Sequence, residues 1–392
     1  MLPLHDLTVI ALEQAVAAPF ASRQLADLGA RVVKIERPGV GDFARGYDET
    51  VKGMSSHFVW LNRGKQSLTL NLKDQRAREV LHKLLADADI FLQNLAPGAA
   101  ARLGFDGTEL RARHPRLIVC NLSGYGESGP YRDKKAYDLL VQCETGLVST
   151  TGTPDTPAKT GISTADIAGG MYAYSGILTA LYNRERTGNG ALLEVSLFDA
   201  LGEWMGFPAY FTAYGGKAPR RAGASHSAIA PYGPFRCGDG GVVNLGIQNE
   251  REWQRFCSEL LGQQGLADDA RFASNSARVA NLDALRGFIE EAFAALTTLT
   301  VIEKLDAVGI ANARLNTMQE FWDHPQLQAR DRWCEVDSPQ GPIRAMRPPV
   351  ISDDLAHRMD AIPDVGEHTA SILQDLGYSD SDVADLRDAG VV

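Results

Sequence analysis

Cysteine is scarce in this sequence, and its few copies lie far apart. The 392 residues include only five cysteines, and no two of them form a C-x-x-C pair. Disulfide-stabilised mini-proteins and most structural zinc sites need closely spaced cysteines. We therefore expect neither a disulfide framework nor a cysteine zinc site, and the pattern fits a reducing cytoplasm.

Excess positive charge and long apolar runs are also lacking. The chain has 39 Lys+Arg against 49 Asp+Glu, a net charge of −10, so it has no bulk attraction for nucleic acids or anionic membranes. Its longest apolar-rich run, residues 167–183, is shorter than the ~20 residues of a membrane span, and no signal-peptide pattern opens the chain. We expect a cytoplasmic protein without nucleic-acid or membrane partners, in which a local cluster of cations binds any anionic ligand.

Motifs for metal-dependent and serine-based catalysis are missing as well. No two of the eight histidines have i, i+4 spacing, no carboxylate cluster resembles a calcium loop, and no G-x-S-x-G occurs. We expect no metal site. The G-x-G-x-x-G at 124–129 leads into Pro130 and a charged segment rather than into a helix, which favours a surface loop over a dinucleotide site.

The first third of the chain alternates apolar β-like runs with amphipathic helical segments. This pattern predicts strands at 7–12, 31–36, 67–72, 89–92 and 117–122. Strands that alternate with helices are typical of a parallel sheet covered on both faces. The sequence therefore predicts an α/β fold with an open, Rossmann-like sheet.

Further along, the pattern changes twice. Residues 164–186 and 196–215 read as two largely apolar helices, which we expect to be buried. A hairpin signal at 235–245 and three helical segments after it indicate a smaller α+β domain, and the C-terminal part is predicted to return to the first domain. The predicted domains are 1–222 (large), 223–330 (smaller) and 331–392 (large again).

A carboxylate lies at the start of the long apolar helix. Asp166 falls in its first turn, and Gly169 and Gly170 follow closely. Aspartate is an ordinary capping residue there, but each interior glycine costs about 1 kcal/mol relative to alanine, so we expect a ligand or another helix to approach closely. We also expect helix-end amides to keep this carboxylate ionised, and an ionised carboxylate can attack a thioester carbonyl.

Four cations follow strands or lie in loops of the first domain: Arg37, Lys73, Arg102 and Lys135. Ligands of open α/β sheets bind beside the carboxyl ends of the strands. Each cation alone is typical of a solvated surface charge. Together they are a candidate anion site in an acidic protein.

Short motifs spread from about residue 4 to 377 together resemble those of the class III coenzyme A transferases, the CaiB/BaiF family. They are Lys34-Ile35-Glu36-Arg37-Pro38, Gly41-Asp42, Asn62-Arg63-Gly64-Lys65, Asn94-x-x-Pro97-Gly98, Arg102-Leu103-Gly104-Phe105, Tyr137-Asp138, Ala165-Asp166-Ile167-Ala168-Gly169 and Gly366-Glu367-His368-Thr369.

The resemblance implies a large α/β domain built from both chain ends, a smaller domain, and two ring-shaped subunits interlocked as a homodimer. It also implies that Asp166 is the catalytic nucleophile. The implied coenzyme A contacts are Arg37, Lys73, Asn94, Arg102, Lys135 and Tyr137. Coenzyme A enters as a thioester substrate, and no permanently bound cofactor is expected.

Two departures from the family narrow the function. Formyl-transferring members carry His-Val-Gln-Ala and a glycine-rich flap, whereas this chain has 14–17 Gln-Ala-Val-Ala and the segment 225–232, so formate and oxalate are not expected. The α-methylacyl-CoA racemases of the family carry a histidine base where this chain has Tyr137. A tyrosine with its ordinary pKa of ~10 cannot serve as that base near pH 7.

The resulting hypothesis is an acyl-CoA:carboxylate CoA-transferase that works through an aspartyl anhydride and an aspartyl-CoA thioester. Candidate acceptor-binding residues are Gln14, Arg221, His226 and Tyr232, and these residues suit a C4–C5 dicarboxylate such as succinate, mesaconate, itaconate or citramalate. The alternative is a purely structural role, in which the arginine pairs with surface acids and Tyr232 packs against its neighbours without binding substrate. An α-methylacyl-CoA racemase-like enzyme and a non-catalytic CoA-binding protein are the alternative functions.

Overall fold

The computed structural model describes residues 2–392 and contains a six-stranded sheet in which every neighbouring pair is parallel. The strands are β1 Thr8–Leu12, β2 Arg31–Glu36, β3 Lys65–Thr69, β4 Ile90–Gln93, β5 Ile118–Ser123 and β6 Leu192–Ser196, in the order β3-β2-β1-β4-β5-β6. This is the order of the doubly wound fold, in which the strand order reverses at a switch point between β1 and β4. The predicted α/β class and parallel sheet are confirmed.

Helices cover both faces of this sheet, which is why its inner strands are apolar on both sides. The helices before β6 are α1 Ala17–Asp27, α2 Ser56–Leu61, α3 Gln75–Ala86, α4 Ala99–Arg102, α5 Gly107–Arg113, α6 Asp138–Glu144, α7 Leu147–Thr150 and α8 Thr164–Thr187, and a 3₁₀ turn spans Phe43–Gly46. One core joins strand residues such as Ile10 and Val33 to Val80 and Leu81 of α3. The helix α8 packs against α1, β5 and β6.

The strand β6 was missed by the sequence analysis, which predicted no strand between the two long apolar helices. It pairs with β5 along its whole length, for example Val119 with Leu192 and Ser123 with Ser196. A Gly-Asn-Gly turn at 188–190 precedes it and is the local signal that marks the break. The segment predicted as one helix over 196–215 is two helices, α9 Leu197–Trp204 and α10 Gly206–Gly215.

The expectation that both long apolar helices are buried is wrong for the single chain. Within α10 no residue is buried, and Tyr210 and Tyr214 are 68% and 85% exposed. On α8, Tyr182 is 66% exposed while Ala173 and Ile177 on another side are fully buried. The apolar composition of α10 therefore serves an exposed aromatic face rather than the core of this chain.

The C-terminal segment returns to the edge of the large sheet. After β10 Trp333–Val336 and β11 Ile343–Met346 come α17 Thr369–Asp375 and α18 Asp380–Asp388. Backbone N–H groups of the edge strand β3 donate to this segment, Ser67 to Nδ1 of His368 (3.3 Å) and Thr69 to Oγ1 of Thr369 (3.1 Å). The Gly-Glu-His-Thr motif thus covers an edge that would otherwise expose unpaired backbone groups.

A second compact unit contains a three-stranded antiparallel sheet. Its strands are β7 Tyr232–Arg236, β8 Val242–Gly246 and β9 Ala311–Arg314. Besides α7 and α10, its helices are α11 Glu250–Arg255 with a π turn Phe256–Leu260, a 3₁₀ turn Gln264–Leu266, α12 Asn275–Ala280, α13 Leu282–Phe293, α14 Thr298–Ala307 and α15 Met318–Trp322. The hairpin predicted from the sequence is confirmed as the β7–β8 pair. A core that includes Phe235, Trp253 and Phe293 lies between sheet and helices.

The two compact units divide the chain differently from the predicted domains. One unit comprises Met1–Thr145, Gly161–Met205 and Leu327–Val392, and the other comprises Gly146–Thr160 and Gly206–Gln326. The helix α16 Pro325–Ala329 spans the change between them. No helix among residues 2–392 combines the length and apolar character needed to cross a membrane.

Candidate active site

The candidate site lies at the switch point of the large sheet, where the turns after β1 and β4 diverge. Gln14 and Asn94, one from each turn, form two hydrogen bonds: the Gln14 N–H donates to Oδ1 of Asn94 and the Asn94 amide donates to the Gln14 carbonyl, both at 2.9 Å. A cavity of about 560 Å³ opens beside this pair. Ligands of open α/β sheets bind at such a crevice.

Five residues predicted from the sequence line this one cavity: Gln14, Asn94, Lys135, Tyr137 and Asp166. They come from four separate stretches of the chain, which the sheet and α8 bring together. The side-chain amide of Asn94, however, is already hydrogen-bonded to the backbone of Gln14. Its position indicates that it fixes the turn, and a coenzyme A contact would have to be made in addition.

Asp166 is the third residue of α8, and a second carboxylate lies beside it. Oδ1 of Asp138, the first residue of α6, accepts the backbone N–H of Ala165 (2.8 Å) and that of Asp166 (3.3 Å). Its Oδ2 accepts a hydrogen bond from Nε2 of Gln142 (2.7 Å). The helix-end amides are therefore capped by Asp138 and are not available to the side chain of Asp166.

This arrangement raises the pKa of the Asp166 carboxyl group to about 7, through burial first and the charge of Asp138 second. No hydrogen bond to its carboxylate oxygens is formed within residues 2–392. The expectation that helix-end amides keep this carboxylate ionised is therefore wrong. A carboxylate without hydrogen-bond donors and with a raised pKa is more nucleophilic than an ordinary surface aspartate.

Close backbone approach explains the two glycines after Asp166. A Cβ on Gly170 would lie 2.6 Å from the carbonyl oxygen of Ala17, at the start of α1, and one on Gly169 would lie 2.6 Å from Cδ2 of Leu197. The prediction that another part of the chain approaches here is confirmed. The contact brings the turn after β1 against the helix that carries Asp166.

The cavity also contains two residues that the sequence analysis missed, Tyr47 and His57. Burial, together with the charges of Asp42 and Asp166, raises the pKa of the Tyr47 hydroxyl to about 12, so it stays a hydrogen-bond donor at neutral pH. The ring of His57 lies edge-on to Tyr47, and its Nδ1 is 3.7 Å from Oδ2 of Asp48. Neither residue has a local sequence pattern, and only the fold brings them to Asp166.

Of the candidate cations, Lys135 lines the Asp166 cavity and Arg102 lines an adjacent one of about 320 Å³. The two cavities share the wall at 95–97 and 122–123. Arg37 and Lys73 line neither, although both are exposed just after strands β2 and β3, as predicted. Lys134, in contrast, is held by Glu144 and by the ring of Tyr131, so it is less available than Lys135.

The remaining acceptor candidates, Arg221, His226 and Tyr232, belong to the second unit. The Arg221 guanidinium donates to the backbone carbonyls of Ser149, Thr153 and Pro154. His226 stacks on Tyr232 with ring centroids 5.4 Å apart. The segment is also anchored through Asn275, which accepts the N–H of Ala230 and donates to the carbonyl of Ala228.

Comparison with known proteins identifies the protein family to which this chain belongs. The profile of CoA-transferase family III matches residues 4–369, and the chain belongs to this family. A crystal structure of a CaiB/BaiF family protein from Brucella suis superposes with a TM-score of 0.84 at 34% identity, covering 95% of this chain and 99% of that one.

Two curated relatives specify the type of reaction. An acetyl-CoA:oxalate CoA-transferase from Acetobacter aceti is 35% identical over 379 residues, covering 95% of this chain and 96% of that protein. A succinate–glutarate CoA-transferase from Agrobacterium fabrum is 32% identical over 384 residues, with the same coverage of 95% and 96%. The chain is thus an acyl-CoA:carboxylate CoA-transferase, whose substrates are a CoA thioester and a carboxylic acid.

Proposed function

We propose that this enzyme moves coenzyme A from an acyl-CoA to a C4–C5 dicarboxylate, with Asp166 as covalent nucleophile. The observation that carries the proposal is the position of Asp166: its carboxylate lines the switch-point cavity and lacks hydrogen bonds from the rest of the described chain. The succinate–glutarate CoA-transferase among the relatives supports an acceptor of this class, because succinate and glutarate are C4 and C5 dicarboxylates.

The reaction runs through two kinds of acyl-enzyme. A carboxylate oxygen of Asp166 attacks the thioester carbonyl of the donor, the C–S bond breaks, and an aspartyl anhydride and CoA thiolate result. The thiolate then attacks Cγ of Asp166, which releases the donor acid as a carboxylate and leaves an aspartyl-CoA thioester. The acceptor carboxylate repeats the same steps in reverse order and leaves with CoA, which restores the carboxylate of Asp166.

Cations near the cavity are proposed to bind the coenzyme A part. Lys135 and Arg102 line the two neighbouring cavities, and Arg37 and Lys73 follow strand ends of the same sheet. Charge-assisted hydrogen bonds to phosphate suit exposed Lys and Arg side chains. Tyr137, 69% exposed at the cavity wall, is proposed to contact the same substrate.

The acceptor residues remain predictions. Gln14 lines the Asp166 cavity, while Arg221, His226 and Tyr232 are proposed to bind the distal carboxylate. Because Arg221 holds three backbone carbonyls, Arg221→Ala needs a Tm measurement beside its kinetics. Selective loss of activity on dicarboxylates, with a monocarboxylate of equal length retained and Tm unchanged, supports the acceptor role; equal loss on both acids refutes it.

We also propose that the enzyme is an interlocked homodimer located in the cytoplasm. The exposed aromatic residues of α10, which include Phe207, Tyr210 and Tyr214, support a partner surface of that kind. Sedimentation of the wild-type chain tests it. A monomer at micromolar concentration would contradict this part alone and would leave the chemistry open to its own test.

The decisive experiment mixes succinyl-CoA with a panel of acids and follows the products by mass spectrometry. The panel contains succinate homologues, mesaconate, itaconate, citramalate, oxalate, formate and monocarboxylates. Transfer to C4–C5 dicarboxylates, its loss in Asp166→Ala, and hydroxylamine labelling of Asp166 during turnover are expected. Preference for oxalate or formate would refute the acceptor class, and an active Asp166→Ala would refute the nucleophile. Deuterium exchange at the α-carbon without an acceptor would instead indicate a racemase.

A further inference from the structure

Behind the cavity lies a chain of four buried charged residues, here called the ion chain, that the proposed transfer does not use. Nζ of Lys65 donates to Oε1 of Glu13 at 2.6 Å, and Nζ of Lys34 lies 3.3 Å from the same oxygen and 2.8 Å from Oδ2 of Asp42. None of the four is more than 3% exposed. Buried ion pairs are weak stabilisers of a fold, so a second role for this group is worth testing.

The ion chain ends on the backbone of the cavity wall. Oδ1 of Asp42 accepts the N–H of Ala15 at 3.1 Å and that of Ala44 at 2.9 Å. Ala15 has φ 64°, a left-handed conformation that residues with a Cβ rarely adopt. The hydrogen bond from Ala15 to Asp42 therefore offsets the strain of this turn.

The shape of that turn decides where its neighbours lie. Residues 14–17 all line the cavity that contains Asp166. On one side Gln14 is fixed by Asn94, and on the other the Ala17 carbonyl packs against Gly170. A relaxed Ala15 would shift Val16 relative to Asp166, because Gln14 and Ala17 are anchored at the two ends of the turn and only its middle can move.

Charge keeps the end of the ion chain in place. Burial alone lowers the pKa of the Lys34 ammonium, but the carboxylates of Glu13 and Asp42 outweigh it and raise that pKa overall. Glu36, which also faces Lys34, is paired with Arg45 at 2.7 Å. Lys34 therefore remains a cation that holds Oδ2 of Asp42, and Oδ1 stays directed at Ala15.

We propose that Asp42 is a positioning residue for CoA transfer: its hydrogen bond to the strained Ala15 holds the turn at 14–17 in the shape that Asp166 chemistry requires. This inference rests on the proposed function, because it takes the Asp166 cavity as the place of transfer. Asp42 itself touches no substrate in this account. Its loss is therefore expected to lower kcat rather than to raise KM.

A double-mutant cycle tests the proposal with the full chain, succinyl-CoA and the best acid of the panel. Asp42→Asn leaves a single acceptor oxygen, for which the charged ammonium of Lys34 competes with the N–H of Ala15. The variant is measured alone and together with Ala15→Gly, because glycine adopts the left-handed conformation without strain and does not need the hydrogen bond to Asp42. We expect Asp42→Asn to lower kcat at least about 10-fold with KM for the CoA ester changed less than about 3-fold, and we expect this loss to shrink at least about 5-fold in the Ala15→Gly background.

Asp27→Asn is the matched control, since Asp27 is a similarly buried carboxylate that pairs with Arg63 at the far end of α1. It should lower Tm without lowering kcat of the folded enzyme. Should Asp42→Asn fail to fold, Asp42→Glu keeps the charge for Lys34 but moves the acceptor away from Ala15, and the same loss and rescue are expected.

Unchanged kcat in the Asp42 variants, or an equal loss with Ala15 and with Gly at that position, would overturn the positioning role. Asp166→Ala is assayed in parallel, so that failure of the nucleophile is seen separately. Transfer by Asp166→Ala would contradict the proposed function, whereas an inactive Asp166→Ala beside a fully active Asp42→Asn would contradict the positioning role alone.

Discussion

Asp138 caps the helix that carries Asp166: one oxygen of its carboxylate accepts the backbone N–H groups of both Ala165 and Asp166. The same charge adds to burial in raising the pKa of the Asp166 carboxyl group. Asp138 therefore both stabilises the start of the helix and favours the protonated form of the proposed nucleophile.

Replacing Asp138 by asparagine is expected to move the acid limb of the pH profile of kcat/KM to lower pH, by about 0.5–1 unit. Asparagine retains an oxygen that can accept the two amides but removes the negative charge that raises the pKa of Asp166. Initial rates from pH 5 to 9 provide the measurement. Asp138→Ala removes the cap as well and should cost about 1 kcal/mol of stability. An acid limb that stays in place in Asp138→Asn would show that Asp138 does not control the nucleophile.

Asp166→Asn is expected to stabilise the fold increasingly as the pH rises. The folded protein raises the pKa of this carboxyl from 3.8 to about 7, so the proton bound by the folded state stabilises it at low pH and this contribution is lost between about pH 4 and pH 7. One pKa unit corresponds to about 1.4 kcal/mol. The Tm of the variant should therefore exceed that of the wild type by more at pH 8 than at pH 5.

The exposed Asp133 provides the control for this experiment. Asp133→Asn should change Tm equally at the two pH values, because it lies in the exposed loop before α6. A Tm difference for Asp166→Asn that is the same at pH 5 and pH 8 would contradict the raised pKa.

Gly170→Ala is expected to destabilise the protein by more than about 2 kcal/mol and to abolish transfer. The added Cβ would lie 2.6 Å from the Ala17 carbonyl oxygen, and backbone cannot move aside as a flexible side chain can. On the same helix, a Cβ on Gly176 would lie 3.6 Å from Cδ1 of Leu193, an ordinary contact. Gly176→Ala should therefore keep activity and gain up to about 1 kcal/mol from helix propensity. Thermal unfolding of both variants measures the difference in stability. Equal stability of the two would disprove the close approach of Gly170 to the Ala17 carbonyl.

Two adjacent lysines offer a matched test of coenzyme A binding. Lys135→Ala should raise KM for the CoA thioester by the equivalent of about 1–3 kcal/mol, with Tm unchanged. Lys134→Ala should lower Tm and affect KM less, because Lys134 pairs with Glu144 and lies over the ring of Tyr131. Steady-state kinetics and thermal unfolding separate the two effects. If KM rises only in Lys134→Ala, the assignment of Lys135 is reversed.

Local sequence patterns predicted those parts of the structure that depend on residues close together in the chain. The apolar runs at β1, β2 and β4, the β7–β8 hairpin and the glycine pair behind Asp166 were all visible in the chain, because burial and close approach restrict residue type directly. The edge strand β6 escaped because only part of it is buried, so its apolar pattern is weak.

The chemistry of the site depends on distant contacts and was therefore less predictable. Asp166 was identified from its helix, but the fold raises its pKa, through burial first and then through the charge of Asp138, a neighbour contributed by another helix. Tyr47 and His57 enter the cavity only through the fold. The hydrogen bond from the Ala15 N–H to Asp42 depends on the left-handed backbone of Ala15, and an alanine in the sequence gives no sign of such a conformation.

The cover that the C-terminal segment places over β3 has a consequence for biosynthesis. Ser67 and His368 are 301 residues apart in the chain, so a ribosome that adds about 5–20 residues per second completes this contact roughly 15–60 s after the strand has emerged. Through that interval the strand presents open backbone donors while the rest of the sheet assembles. This strand edge thus stays uncovered until residues 368 and 369 have been made, and a chaperone that shields it would act during translation.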